Sequence, residues 1–162
     1  MAADRATISV SASLLPDEIK TSVGGTIIYD IDDLGDNNKW TYSLTIVGAS
    51  SNVDALLASV PFLGQGTSEE GATATVNGTD DVVFFFIKHS GTTDGATSTT
   101  ANLHINLSAG TATGSAVGDI VIKPNECFFA RLGNTEIDDI NADSSSGNIQ
   151  AQVFAICDDG GV

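Results

Sequence analysis

The chain has 162 residues and a mass of 16.6 kDa, which suits one domain and is short for two. Nearly a third of the residues are Gly, Ser or Thr, and Asp outnumbers Glu 16 to 5. This composition weakens helices and excludes an all-helical fold. The net charge of −15 argues against nucleic acid as a partner, and no apolar run approaches the roughly 20 residues of a membrane-spanning helix.

The N-terminal part predicts two strands. Ile8, Val10 and Ala12 alternate with polar residues, which is typical of a half-buried strand, and Pro16 follows its end. The Gly24-Gly25 pair is a turn signal and predicts that a second strand runs over Thr26–Ile31.

The middle of the chain alternates strands with polar loops. Apolar residues occur at every second position over 40–46, which makes this the clearest amphipathic strand of the sequence; they are Trp40, Tyr42, Leu44 and Ile46. Asn52–Ser59 predicts one short helix with Asn52 as its N-cap. Thr67–Thr79 predicts a loop with a weak strand at Thr73–Val76.

Six consecutive apolar residues, Val82–Ile87, predict a strand with two apolar faces. Phe84 and Phe86 should share one face, and Phe85 should lie on the other with Val83 and Ile87. Such a strand is either central in a packed sandwich or covered by another subunit, and both alternatives stay open here.

The last third predicts further short strands. Leu103, Ile105 and Leu107 alternate with polar residues, so His104 is expected on an outward face. Pro124-Asn125 should form a hairpin turn between Ile120–Ile122 and Cys127–Leu132. A final strand over 148–157 should place alternate apolar residues on one face: Ile149, Ala151, Val153, Ala155 and Cys157.

Eight to ten short strands at this spacing predict an all-β fold with at most one short helix. The expected architecture is an antiparallel β-sandwich or jelly roll that forms a single domain, residues 1–162. No internal repeat or clean linker divides the chain.

Motifs for catalysis or metal binding are weak. The acidic stretch Asp30–Asn38 lacks the ligand spacing of a calcium loop, and His89, Ser90 and Asp94 carry no nucleophile-elbow signature. We therefore expect no catalytic residue, no metal site and no cofactor, and do not expect an enzyme. The two cysteines, Cys127 and Cys157, are expected to be buried and reduced; a disulfide would require their strands to pair.

The start of the chain, Met-Ala-Ala-Asp-Arg, has neither a basic region nor an apolar stretch of the secretory kind. We therefore expect synthesis and use in a cytoplasm, or release by lysis.

Four segments in the second half have strand-like patterns of apolar residues; they read VVFFFIKHSGT, ANLHINL, IVIKPNECFFARL and IQAQVFAICDD. Over residues 80–159 the pattern resembles the small all-β virion proteins of tailed bacteriophages, especially capsid decoration (cement) proteins. The resemblance implies a β-sandwich on the outside of a capsid, often as a trimer or another symmetric homo-oligomer, that bridges major capsid proteins. The net charge and the lack of a long apolar run already argue against a nucleic-acid or membrane partner.

Two candidate interfaces follow. The first is an N-terminal docking arm, residues 1–15, with Arg5, Ile8, Leu14 and Leu15, for which an ordinary edge strand is the competing interpretation. The second is the aromatic run Phe84, Phe85 and Phe86. The alternative function is a phage fibre or tail module that binds a cell-surface glycan through loops such as Thr92–Thr100 or Ser108–Gly118; a bacterial adhesive or filament subunit is a further alternative.

Overall fold

The computed structural model describes residues 5–14, 21–30, 38–49, 56–57, 60, 62–64, 73–74, 76–108 and 120–158. Almost all of the described elements are strands, and every pairing is antiparallel, so the predicted all-β fold is confirmed. The chain divides into two compact units, residues 1–35 and residues 36–162. Each unit is described by itself below, and the single domain expected from the sequence stays a prediction.

The first unit contains a two-stranded ribbon. Strand β1 runs from Arg5 to Leu14 and strand β2 from Thr21 to Asp30, with ten register pairs between them. The predicted turn at Gly24-Gly25 is wrong, because both glycines lie inside β2 opposite Ser11 and Val10. Glycine fits an extended backbone as readily as a turn, so the pair alone could not locate the end of a strand.

The second unit has two sheets. Its strands are β3 (Asn38–Gly48), β4 (Phe62–Gly64), β5 (Thr73–Ala74), β6 (Asp81–His89), β7 (Leu103–Asn106), β8 (Ile120–Ile122), β9 (Cys127–Arg131), β10 (Asn141–Ser144) and β11 (Asn148–Asp158). The larger sheet has the order β5-β4-β3-β11-β6-β9, and the smaller one has the order β10-β7-β8. A 3₁₀ turn at Ile137–Asp139 is the helical element of the described residues.

Side chains from both sheets form one buried cluster, so this unit is sandwich-like. Val47, Phe85 and Val153 come from the larger sheet, and Leu103 and Ile105 come from the smaller one. The five apolar residues predicted to share one face of the last strand are all buried in this cluster.

A β-bulge shifts the register at one end of β6. Ile156 lies opposite Phe84 and Cys157 lies opposite Val82, so Val83 has no register partner on β11. The bulge turns Val82 into the core in place of Val83, which corrects the face predicted for Val83.

The turn at Pro124-Asn125 exists, but it does not make the predicted hairpin. Glu126 N donates to Lys123 O at 3.0 Å, and Asn125 has a φ of 70°, which together with the proline is typical of a type II turn. Its two flanking strands belong to different sheets, because β8 pairs with β7 and β9 pairs with β6. The turn therefore carries the chain from one layer of the sandwich to the other.

Three expectations fall partly on residues that the structure does not describe. Of the predicted helix Asn52–Ser59, only Leu56 and Leu57 are described, and both are buried in a turn. Most of the acidic stretch over 30–38 and of the loop over 108–118 lies outside the described residues.

Candidate interaction surfaces

Strand β3 places most of its large apolar side chains away from the core. Thr41 and Val47 are fully buried, whereas Tyr42 is 57% exposed, Leu44 58% and Ile46 47%. An amphipathic strand normally turns its apolar side inward, and β3 does the reverse. The residues of β3 on the core side lie opposite core-facing residues of β11; Thr41 pairs with Ala155, and Thr45 pairs with Ala151.

The exposed residues of β3 continue into a row of aromatic side chains. Tyr42 lies directly opposite Phe154, Phe154 opposite Phe86, and Phe86 opposite Phe129. Directly opposite residues of antiparallel strands point to the same face, so these four rings lie side by side across β3, β11, β6 and β9. Phe86, Phe129 and Phe154 are half-buried.

We call this side of the larger sheet the outer face. It comprises the positions that alternate with the core positions on its four long strands: Trp40, Tyr42, Leu44, Ile46, Phe84, Phe86, Lys88, Cys127, Phe129, Arg131, Gln150, Gln152, Phe154 and Ile156. None of these is an acid, although the chain has 21 Asp and Glu residues. Two acids, Asp158 of β11 and its exposed register partner Asp81 of β6, follow on the same side at the end of the face beyond Ile156 and Phe84. Large exposed apolar faces on soluble proteins mark interaction sites.

The three consecutive phenylalanines are divided between the two sides of this sheet. Phe85 is fully buried in the core cluster and packs against Phe128, with 6.5 Å between the two ring centroids. Phe86 and Phe84 lie on the outer face, as the alternation predicts. Phe84 is nevertheless buried, with its ring in an edge-to-face contact with Phe154 at 6.0 Å.

The ribbon of the first unit carries the residues predicted for a docking arm. Arg5 and Leu14 are the first and last residues of β1, and Leu15 lies outside the described residues. Ile8 lies opposite Ile27, and both are half-buried, while Val10 is 40% exposed. No third strand pairs with the ribbon among the described residues of its unit.

His89, Ser90 and Asp94 each hydrogen-bond to other groups rather than to one another. The Nδ1 atom of His89 accepts from Gly91 N at 2.9 Å, so the proton lies on Nε2, which donates to Ala101 O at 3.0 Å. Ser90 Oγ bonds Thr92 Oγ1 at 2.7 Å. Asp94 accepts from Thr97 N and Ala96 N, and these bonds lower the pKa of its carboxyl group.

His104 lies on the side of β7 opposite to Leu103 and Ile105, but it is not exposed as predicted. It is nearly buried, and its Nδ1 atom has no hydrogen-bond partner. Its register neighbour on β10 is Asp143, which is also buried. The sequence could not indicate this burial, because β10 falls in a polar stretch that showed no strand pattern.

The two cysteines have different environments. Cys157 is buried as predicted, but Cys127 is exposed, because it lies on the outer face at the edge strand β9. Both thiols are free, since they point to opposite faces of the same sheet. Burial, reinforced by nearby Asp80, raises the pKa of Cys157 to about 12, and Lys39 counteracts this in part; Lys39 and Asp80 themselves form an ion pair at 3.7 Å.

Within the described ranges, no group of three or more His, Cys, Asp or Glu side chains is arranged to hold a metal ion. Among the same residues, none of the helical segments has the length and apolar character needed to cross a membrane. Comparison with protein-family models, with curated proteins and with solved structures found no significant match.

Proposed function

We propose that this chain is a non-enzymatic structural protein of a virion, which decorates the outside of a phage capsid and stabilises it by bridging major capsid proteins. The protein would be made in the host cytoplasm and act on the capsid surface. The proposal rests on the strand pattern of residues 80–159 and on two surfaces, the β1–β2 ribbon and the outer face of the larger sheet. These surfaces suit a protein partner better than a small substrate.

The observation that carries the proposal is the ribbon over β1 and β2. A two-stranded ribbon is at best marginally stable by itself in water, and a second layer is needed to cover its apolar side. Apolar residue types alternate along β1 at Ala6, Ile8, Val10 and Ala12, and the register brings Ile27 opposite Ile8. The ribbon extends the predicted arm of residues 1–15 into a hairpin whose apolar positions a capsid protein could cover.

The charge of the chain agrees with this role. A net charge of −15 keeps the protein soluble and keeps particles that carry it from associating. Binding at a junction of capsid proteins would then stabilise the assembled shell by mass action, because the binding site for this protein exists only in the assembled shell.

A fibre or tail module that binds a glycan remains the second candidate. The loop from Gly91 to Thr100 supports it, because Thr93 N donates to Thr97 O and Asp94 caps the exposed tip over 94–98. A loop fixed by its own hydrogen bonds can present polar groups to a sugar at low entropic cost.

Co-sedimentation with capsid shells that lack the protein tests the proposal. We expect saturable binding at a simple ratio to the major capsid protein and a higher melting temperature of the shell. Binding to whole cells or glycans, with none to shells, would contradict the decoration role and favour the fibre module.

A further inference from the structure

We infer that the outer face of the larger sheet is a contact surface for a second copy of this chain, related by a two-fold axis that runs parallel to the strands. The inference stands independently of capsid binding. It rests on the exposure, the charge and the asymmetry of the face.

The exposed part of the face lies along three rows of side chains. Tyr42, Leu44 and Ile46 lead these rows on β3, and each is about half exposed. Row by row, their partners on β11 are Phe154, Gln152 and Gln150. Sheets with such faces pack on other sheets at a distance of about 10 Å, with side chains of the two layers interleaved.

Charge favours a second copy at this face over other parts of the chain. Two molecules with a net charge of −15 repel each other, so contact costs least where carboxylates are few. The three rows led by Tyr42, Leu44 and Ile46 contain no acid, and their charged side chain is Lys88, with Arg131 in the row beyond that of Tyr42. Asp81 and Asp158 lie farther along, at the end of the face. A basic partner would face these two cations, which disfavours it.

The asymmetry of the face indicates a two-fold arrangement. Lys88 and Arg131 lie on β6 and β9, at one side of the face, and the β3 side carries no charge. A two-fold axis parallel to the strands places the same patch on both partners and brings the β6–β9 side of one copy against the β3 side of the other. The cations of one copy then approach Tyr42, Leu44 and Ile46 of the other, where Tyr42 offers a ring for a cation–π contact.

The size of the face limits the affinity. Four strands spaced by about 4.8 Å and three rows spaced by about 6.8 Å cover only about 14 Å in each direction between outermost Cα atoms. This is smaller than a standard interface of about 800 Å² per partner, so the pair should form reversibly. Salt should strengthen it, because screening reduces the repulsion between two acidic molecules.

Sedimentation velocity over a range of protein concentrations tests the inference, at about 50 mM and about 500 mM NaCl. We expect a monomer–dimer equilibrium that is tighter at the higher salt concentration. Leu44→Glu should weaken it at least tenfold. Val121→Glu is the matched control, since Val121 is 50% exposed on β8 of the other sheet and the charge change is identical; it should leave the equilibrium unchanged.

Cys127 supplies a second readout that does not depend on the variants. Its exposed thiol lies in the row of Leu44, Gln152 and Lys88, so pairing should slow its reaction with a thiol reagent as the concentration rises. A chain that stays monomeric under all conditions would overturn the inference. So would a trimer that Leu44→Glu leaves intact, equal loss in both variants, or a Cys127 rate independent of concentration.

Discussion

Phe85 and Phe86 are neighbours in the chain, yet they serve opposite sides of the larger sheet. Phe85 is fully buried among core residues from both layers, whereas Phe86 is half-buried in the aromatic row of the outer face. The same residue type therefore has two different roles at adjacent positions.

This difference predicts unequal effects of truncation. Phe85→Ala should lower the free energy of unfolding by about 3–5 kcal/mol, because it leaves a cavity in the core. Phe86→Ala should cost clearly less, since its ring is already partly in water. Urea denaturation of the two variants measures both values, and equal losses would contradict the assignment of faces.

The two histidines predict a second contrast. His89→Leu leaves Gly91 N and Ala101 O without their buried partner, each at a cost of about 1–3 kcal/mol. His104→Leu should cost less, because it removes a buried Nδ1 atom that has no partner. Thermal unfolding of both variants checks the order, and a greater loss for His104→Leu would reverse our interpretation.

The backbone conformation at position 91 requires a glycine. It has a φ of 80°, and a Cβ there would lie 2.6 Å from Oδ1 of Asn125. Gly91→Ala should therefore destabilise the protein by at least about 1–2 kcal/mol. Gly133→Ala is the control, since a Cβ at that position would have no neighbouring atom within 4 Å and the φ of Gly133 is not in the left-handed region, so the change should be nearly neutral.

The two thiols should differ in their reactivity, and the buried thiol of Cys157 should make the folded state less stable at alkaline pH. At neutral pH a thiol reagent should modify Cys127 and leave Cys157 intact, because Cys157 is buried and its pKa is raised to about 12. The folded state then holds the Cys157 proton more tightly than the unfolded state, whose thiol titrates near 9.0. Its contribution to stability is complete below pH 9 and is lost progressively as the pH rises toward 12, by about 1.4 kcal/mol per pH unit.

Unfolding measured between pH 8 and pH 11 tests this sign. Cys157→Ala should remove that part of the pH dependence, although it lowers the overall stability. Cys127→Ser, the control, should keep the full dependence. A parent protein whose stability is flat over this range would show that the thiol of Cys157 is not shielded.

Much of the fold follows from local patterns, while the exposed surface does not. The alternation over 148–157 and the apolar run at 82–87 correctly located strands β11 and β6. The period of two cannot say which side of a strand is covered, because that depends on pairing with distant strands. For this reason the sequence identified β3 as amphipathic but carried no sign that Tyr42 and Leu44 face outward.

Other failures have the same origin in long-range contacts. Strand β10, with the sequence NADS, is buried although all but one of its residues are polar, and nothing local marks it as a strand. Cys127 was expected inside an apolar run, but its position on an edge strand exposes it. Two of the predicted interface residues, Ile8 and Phe86, are partly exposed in the structure. Their roles as contacts stay predictions.

The central claim, that the ribbon docks on an assembled shell, is tested most directly by the binding isotherm of one variant. Ile8→Ser combined with Ile27→Ser removes the cross-strand apolar pair, and Ser9→Ala combined with Thr26→Ala changes the neighbouring pair on the other side of the ribbon. We expect the first variant to bind capsid shells at least tenfold more weakly while residues 36–162 keep their thermal transition, and the second to bind like the parent. Parent-like binding by the first variant would contradict the claim.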